Sequence, residues 1–280
     1  MRTTIIVLMI LAATGTAVGQ GYQINWYSIN SGGGLVSGGG YNLNSTIGQP
    51  AAGFVKNTSY LHWVGFWAGE VPTPTVAAKV SDAKLWPDGT FVSIAAKIAT
   101  SDAGDFANCF YVEELDRSSG MRVAVSPGLI IDLLRGKKVN VIGTMGTTPT
   151  GERELTGPIV IVVGTETPLT PLGMTNKTVG GGDYGDPEIG LGQYGVLGGS
   201  GTTNVGLLIQ TWGRVKAKDT DYVEIDDGSG TPVRVDTTTL SDPPDMDEYV
   251  TVIGLSSLYK PDADRLRLIL PRDDADIDWP

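Results

Sequence analysis

Two stretches spell nearly the same plan: YVEELDRSSGMRV, from Tyr111 to Val123, and YVEIDDGSGTPVRV, from Tyr222 to Val235. Each alternates apolar and polar residues into a turn carrying Ser-Gly (Ser119-Gly120 and Ser229-Gly230) and alternates again beyond it. A period of two on either side of turn residues predicts a pair of strands. Farther along, VNVIG (Val139 to Gly143) matches VTVIG (Val250 to Gly254), and the same distance separates Tyr111 from Val139 as Tyr222 from Val250. With Tyr111 set on Tyr222, the second copy has one more residue in its turn and one fewer in the next connection. The chain contains an internal duplication.

Working outward, the first copy has strands at Thr90–Thr100, Asn108–Leu115, Gly120–Val125, Lys137–Gly146 and Glu154–Val163. Between the third and fourth lies SPGLIIDLLRG (Ser126–Gly136), whose apolar spacing predicts a short helix. The second copy offers Gly206–Lys218, Asp221–Asp226, Thr231–Asp236, Glu248–Ser257 and Arg265–Pro271. Five strands with an insertion between the third and fourth match a five-stranded Greek-key barrel, the OB-fold. The pattern Tyr-Val-Glu, Ser-Gly, then Val-x-Val-Ile-Gly resembles OB-fold nucleic-acid-binding-like domains in both copies. The predicted fold class is all-β: two tandem OB-like barrels after a short glycine-rich β-hairpin module.

The remaining organisation follows from composition. Residues 1–19 carry Arg2, the apolar run Ile5–Ala13 and the small residues Ala17-Val18-Gly19, the order of a secretory signal peptide. Residues 20–70 are nearly uncharged and rich in glycine and aromatics. Their string SGGG…SGGGY…TIGQP…GFW resembles the glycine-rich N-terminal stretch of some secreted bacterial proteins of unknown function. Residues 71–78 form a proline-bearing connector, 79–164 the first barrel, 165–203 a glycine-rich linker and 204–280 the second barrel. Within the linker, Gly180–Thr202 holds ten glycines but also Tyr184, Ile189, Leu191 and Tyr194. A flexible tether and a packed Ω-like loop are both compatible with it. No segment after the leader is apolar enough to span a bilayer, so the expected location is secreted or cell-surface.

Charge separates the copies. Lys79–Gly164 holds nine Lys/Arg and ten Asp/Glu, a net of −1, whereas Asn204–Pro280 holds eight and sixteen, a net of −8. Phosphate backbones favour basic footprints, so nucleic acid is disfavoured as a partner. The place for it is the first copy, where Arg135, Lys137 and Lys138 cluster.

Resemblance to the OB-fold implies ligand contacts on strands 2 and 3 and on the connections after strands 1 and 4. In the first copy that implicates Tyr111, Arg122 and the loop Asp102–Asn108. In the second it implicates Tyr222, Arg234, Tyr259 and Lys260. Tyr111 and Tyr222 have a competing assignment as packing residues inside the barrels. For the acidic turn of the second copy, Asp226 and Asp227 before Gly228 and Gly230 are turn chemistry. The alternative is a calcium ion on Asp219, Asp221, Asp226 or Asp227, although no calcium-loop motif is present.

Catalysis has little to stand on. His62 is the single histidine and Cys109 the single cysteine, which stands in an apolar run where a buried, inert thiol is expected. Glu113 and Glu114 are adjacent on a strand and point to opposite faces. The expectation is therefore a secreted, non-enzymatic protein without a cofactor that binds an extracellular polysaccharide or protein. The alternatives are a single-stranded nucleic-acid-binding accessory module and a purely structural spacer.

Overall fold

A computed structural model describes residues 32–38, 41–47, 53–56, 61–64, 73–125 and 133–279. The leader and most of the predicted helix after Val125 lie outside these residues. The chain divides into two compact units, the larger containing Pro72–Pro280. Before it, β1 (Gly32–Gly38) pairs antiparallel with β2 (Tyr41–Ile47), and β3 (Gly53–Lys56) with β4 (Leu61–Val64).

Two closed five-stranded barrels follow. The first runs β6 (Phe91–Ala99), β7 (Cys109–Glu113), β8 (Gly120–Ala124), β9 (Lys137–Thr147) and β10 (Arg153–Thr165). Its pairing order is β6-β7-β8-β10-β9, with β9 returning to β6. The second uses β14 (Leu208–Lys218), β15 (Tyr222–Asp226), β16 (Val233–Asp236), β17 (Tyr249–Tyr259) and β18 (Leu266–Leu270) in the same order, closed by β14–β17. In both, the third and fifth strands pair in parallel and the other barrel pairings are antiparallel. That order is the OB-like Greek key, and closure removes the free edges that an open sheet would expose.

Alternation supplies each interior. Val139, Val141 and Met145 of β9 point into the first core with Phe110, Val112 and Val123. Val223, Ile225, Val235, Val250 and Val252 fill the second. Bulges in β6 between Ile94 and Lys97 and in β14 between Val215 and Ala217 bend the first strand of each barrel.

The duplication extends beyond the barrel strands. β5 (Thr75–Ala77) pairs in parallel with β6, and helix α1 (Val80–Lys84) follows it. Correspondingly, β11 (Leu172–Gly173) pairs in parallel with β14, and a single 3₁₀ turn (Asn176–Thr178) follows. Each barrel thus begins with a short parallel strand. Gly180–Thr202 then forms a small hairpin of β12 (Tyr184–Asp186) and β13 (Leu191–Gln193). Fully buried Gln193 accepts the Arg153 N–H at 2.9 Å and donates to the Gly151 carbonyl at 3.0 Å. Leu197 N–H donates to the Arg265 carbonyl. The glycine-rich segment is thereby bonded to both barrels.

The barrels share a third apolar cluster, of Cys109, Tyr111, Leu208 and Leu255 with Phe106, Ile253 and Leu270 packed on it. For this reason every residue of β7 is buried, whereas its counterpart β15 alternates. Buried charges lie along this seam. Glu113 accepts from the Leu208 N–H and, at 2.8 Å, from Arg117 Nε. Arg117 also donates to the Leu208 carbonyl at 2.7 Å, with its backbone held at a φ of 62°. Lys84 Nζ donates to the Val205 carbonyl at 2.9 Å. Gly120 and Gly206 meet so closely that a Cβ on Gly120 would lie 2.0 Å from the Gly206 oxygen.

Candidate functional site

On the open outer face of the second barrel the structure brings together three of the sequence candidates. The Arg234 guanidinium carbon lies 3.4 Å from the Tyr222 ring centre and 4.1 Å from that of Tyr259. Tyr222 opens β15, Arg234 lies on β16 and Tyr259 ends β17. Each is half-buried, so the cluster is both supported and accessible. Cation–π contacts of this kind contribute about 0.5–2 kcal/mol according to desolvation. Burial raises the Tyr259 hydroxyl pKa and Arg234 opposes that rise. Lys260 is exposed at the start of the connection to β18.

Strand register shows why Arg234 is so placed. In the first barrel Arg122 stands opposite Glu154 in the parallel pair, and in the second Arg234 stands opposite Leu268. Arg122 and Arg234 are therefore equivalent, and a leucine replaces the acid. Arg122 is held by Glu154 and by Asn108 Oδ1 at 3.1 Å. Among the described residues no carboxylate forms a salt bridge with Arg234, and its Nε is buried without a hydrogen bond.

The same registers correct the alignment read from sequence. Tyr111 pairs with Arg122, while Arg234 pairs with Glu224, so Tyr111 is equivalent to Glu224 and Cys109 to Tyr222. A slip of two residues keeps every side chain on its face, which is why alternation did not expose it. Tyr111 is neither inside its barrel nor at the surface. It lies on the outer face, fully buried under the second barrel, with Phe106 edge-on at 5.9 Å. Burial pushes its hydroxyl pKa well above 10.

Beside Tyr111 a cleft of about 730 Å³ opens between the barrels, reached by Asn108, Arg122, Glu152, Glu154, Ser257 and Leu270 among others. The volume lies within the range of small-molecule sites. Sequence reading missed Glu152 and Ser257 because nothing local marks them. Their meeting depends on how the barrels dock.

Other candidates are consumed by structure. Arg135 bonds Asp105 at 3.0 Å and Asp273 at 2.7 Å, and Lys138 pairs with Glu166. Lys137 bonds Thr165 at 3.2 Å. Within the loop Asp102–Asn108, Asp102 accepts the Arg135 N–H. Asp226 accepts the N–H groups of Gly228 and Gly230, Asp227 those of Asn176 and Ser229, and Asp219 that of Thr220. Asp221 is exposed. Among the described residues no group of three or more His, Cys, Asp or Glu is arranged to hold a metal ion. Glu113 is paired with Arg117, and Glu114 with Lys97 at 2.8 Å. Cys109 is buried and its thiol is pushed up to about 11 by that burial. Among the described residues no helix is long and apolar enough to cross a membrane.

No protein-family model matches the chain, and no curated protein matches it. Among solved structures the chain is similar to one described as "Structure of murine DNA binding protein bound with ds DNA". The two are 12% identical with a TM-score of 0.28, over 65% of this chain and 90% of that one. A likeness of that size leaves the OB-like topology of this chain resting on its own strand pairing.

Proposed function

We propose that this protein is an exported, non-enzymatic binding protein that lays a polysaccharide across the outer face of its second barrel. The observation that carries the reading is the guanidinium of Arg234, which among the described residues forms no salt bridge with a carboxylate and is stacked on Tyr222 and Tyr259. Two aromatic rings and the half-buried Leu266 and Leu268 offer apolar area for the carbon faces of sugar rings. Arg234 and its cross-strand neighbour Glu224 offer hydrogen-bonding groups at the edges. Stacking fixes the arginine before a ligand arrives, which lowers the ordering cost of binding.

Charge argues against nucleic acid, since this module carries a net of −8 and Arg135 and Lys138 of the first barrel are already paired with carboxylates. Glu113, fully buried in the seam, and Glu114, buried against Lys97, are poorly placed for acid–base work because a substrate does not reach them. Affinity electrophoresis of the chain in gels containing soluble cell-wall and extracellular glycans tests the reading. Retardation by at least one glycan is expected, with Arg234→Ala or Tyr222→Ala weakening it about tenfold. Failure of every glycan, or retention of binding by both variants, refutes it; capture of an extracellular protein through the same face would change the ligand class.

A further inference from the structure

Glu152 stands at the floor of the cleft between the barrels, only 3% exposed. One carboxyl oxygen accepts from Ser257 Oγ at 2.7 Å and from the Tyr111 hydroxyl at 3.3 Å. The other, Oε1, is buried and has no hydrogen-bond partner. Buried polar atoms are nearly always satisfied, so an unmatched carboxylate oxygen beside a cavity marks a place for a missing partner.

The rest of the lining defines that partner. Arg122 is occupied by Glu154 and Asn108, and the hydroxyls of Thr148 and Thr150 bond each other at 2.8 Å. The intervening wall is apolar, formed by Val125, Pro149 and Leu270. Ser257, Thr156 and the Asn108 amide line the same cleft of about 730 Å³, so it offers several hydrogen-bonding groups beside that apolar wall, and Glu152 Oε1 is the unmatched one among them. Burial raises the pKa of Glu152, opposed by Ser257, Arg122, Lys84 and Tyr111. A ligand hydroxyl can donate to the carboxylate or accept from the acid, whereas an ammonium matches the anion alone. The cleft is composite, because Ser257 and Leu270 come from the second barrel and the other residues from the first. A single barrel does not contain it.

We infer that the inter-barrel cleft is a second binding site, taking a neutral, hydroxyl-rich ligand of one or two sugar units through a hydroxyl on Glu152 Oε1. Its lining shares no residue with the Tyr222–Arg234–Tyr259 face, although Leu268 adjoins both Ser257 and Arg234 in the register, and the variants below test the two apart. Isothermal titration of the full chain with maltose, cellobiose and N,N′-diacetylchitobiose tests it, with glucosamine as the ammonium probe. At least one neutral disaccharide is expected to bind with a Kd on the order of 1 mM or tighter. Ala124, on the same face of β8 as Arg122, lines the cleft and has no polar side-chain group. Ala124→Phe should fill the space and weaken binding at least about tenfold with an unchanged thermal midpoint. Glu152→Gln should weaken it too, and Arg234→Ala should leave it unaltered. No binding by the three disaccharides at about 20 mM, binding indifferent to Ala124→Phe, binding lost in Arg234→Ala, or binding of glucosamine alone overturns the inference.

Discussion

Replacing Glu113 with glutamine should change how stability depends on pH, in a direction fixed by two opposing forces. Burial favours the neutral carboxyl, while Arg117, the Leu208 N–H and Lys84 favour the anion. Burial wins, raising the group from an ordinary 4.5 to about 7. Between those values the folded chain keeps a proton that the unfolded chain has lost, so stability falls as pH rises. The contribution is fully present below 4.5 and gone once pH has passed through 7. At about 1.4 kcal/mol per pKa unit, the loss amounts to about 3 kcal/mol. No allowance for solvent is needed, because Glu113 is fully buried. Glutamine keeps an acceptor for Leu208 and cannot titrate. Urea unfolding of both proteins across that interval should show the wild type losing about 3 kcal/mol relative to Glu113→Gln. A constant difference, or one that grows with pH, would mean that the Arg117 ion pair outweighs burial and would refute the reasoning.

Further tests probe the seam and the open face. Fully buried Lys84 is lowered from 10.5 to about 8, chiefly by burial. Its contribution is present above 10.5 and lost as pH falls through 8, so in the same urea measurements wild-type stability should rise by about 3 kcal/mol relative to Lys84→Met over that alkaline interval; the opposing titrations of Cys109 and Tyr111 cancel in that comparison. Gly120→Ala would drive a methyl into the Gly206 carbonyl and should cost about 1–3 kcal/mol by overpacking, with scattering showing a larger radius of gyration if the barrels part. Leu268→Glu should give Arg234 the partner that Arg122 already has. Stability should change by less than about 1 kcal/mol, while glycan retardation falls as far as in Arg234→Ala.

Barrel architecture was legible because alternation and turn chemistry are local. Val139, Val141, Val250 and Val252 announce inward faces without knowledge of their neighbours, and the repeated Ser-Gly turn marks the hairpins. What alternation could not show was translation by two residues, which leaves faces intact and equated Tyr111 with the wrong partner. Nor could it show which outer faces meet. Cys109, Tyr111 and Leu255 look like ordinary strand residues until the barrels dock. Of the proposed contacts, Tyr222, Arg234 and Tyr259 were reachable because the OB-like pattern places them on one face. In the basic cluster, the pairing of Arg135 was not legible because Asp273, one of its acids, is remote in sequence. The glycine-rich segment hid its role similarly, since Gln193 and Leu197 act through distant backbone groups.

The two barrels differ at one pair of equivalent positions that bears on the open face. Where the first has Arg122 opposite Glu154, both side chains are held in an ion pair at the edge of the docking seam. Where the second has Arg234 opposite Leu268, no acid faces the arginine in the register, and it stacks on two tyrosines. Neither tyrosine has an aromatic counterpart in the first barrel: Cys109 occupies the position of Tyr222, and Thr148 that of Tyr259 in the strand register. Fold maintenance does not require these exchanges, since the first barrel closes with the same topology without them. An arginine opposite a leucine lacks the stabilising partner that Arg122 has, and two partly exposed aromatics reduce solubility. These three differences on one open face are what the proposed glycan-binding reading rests on. The opposite choice in the first barrel, an arginine kept paired beside a buried glutamate, leaves a recess suited to neutral groups.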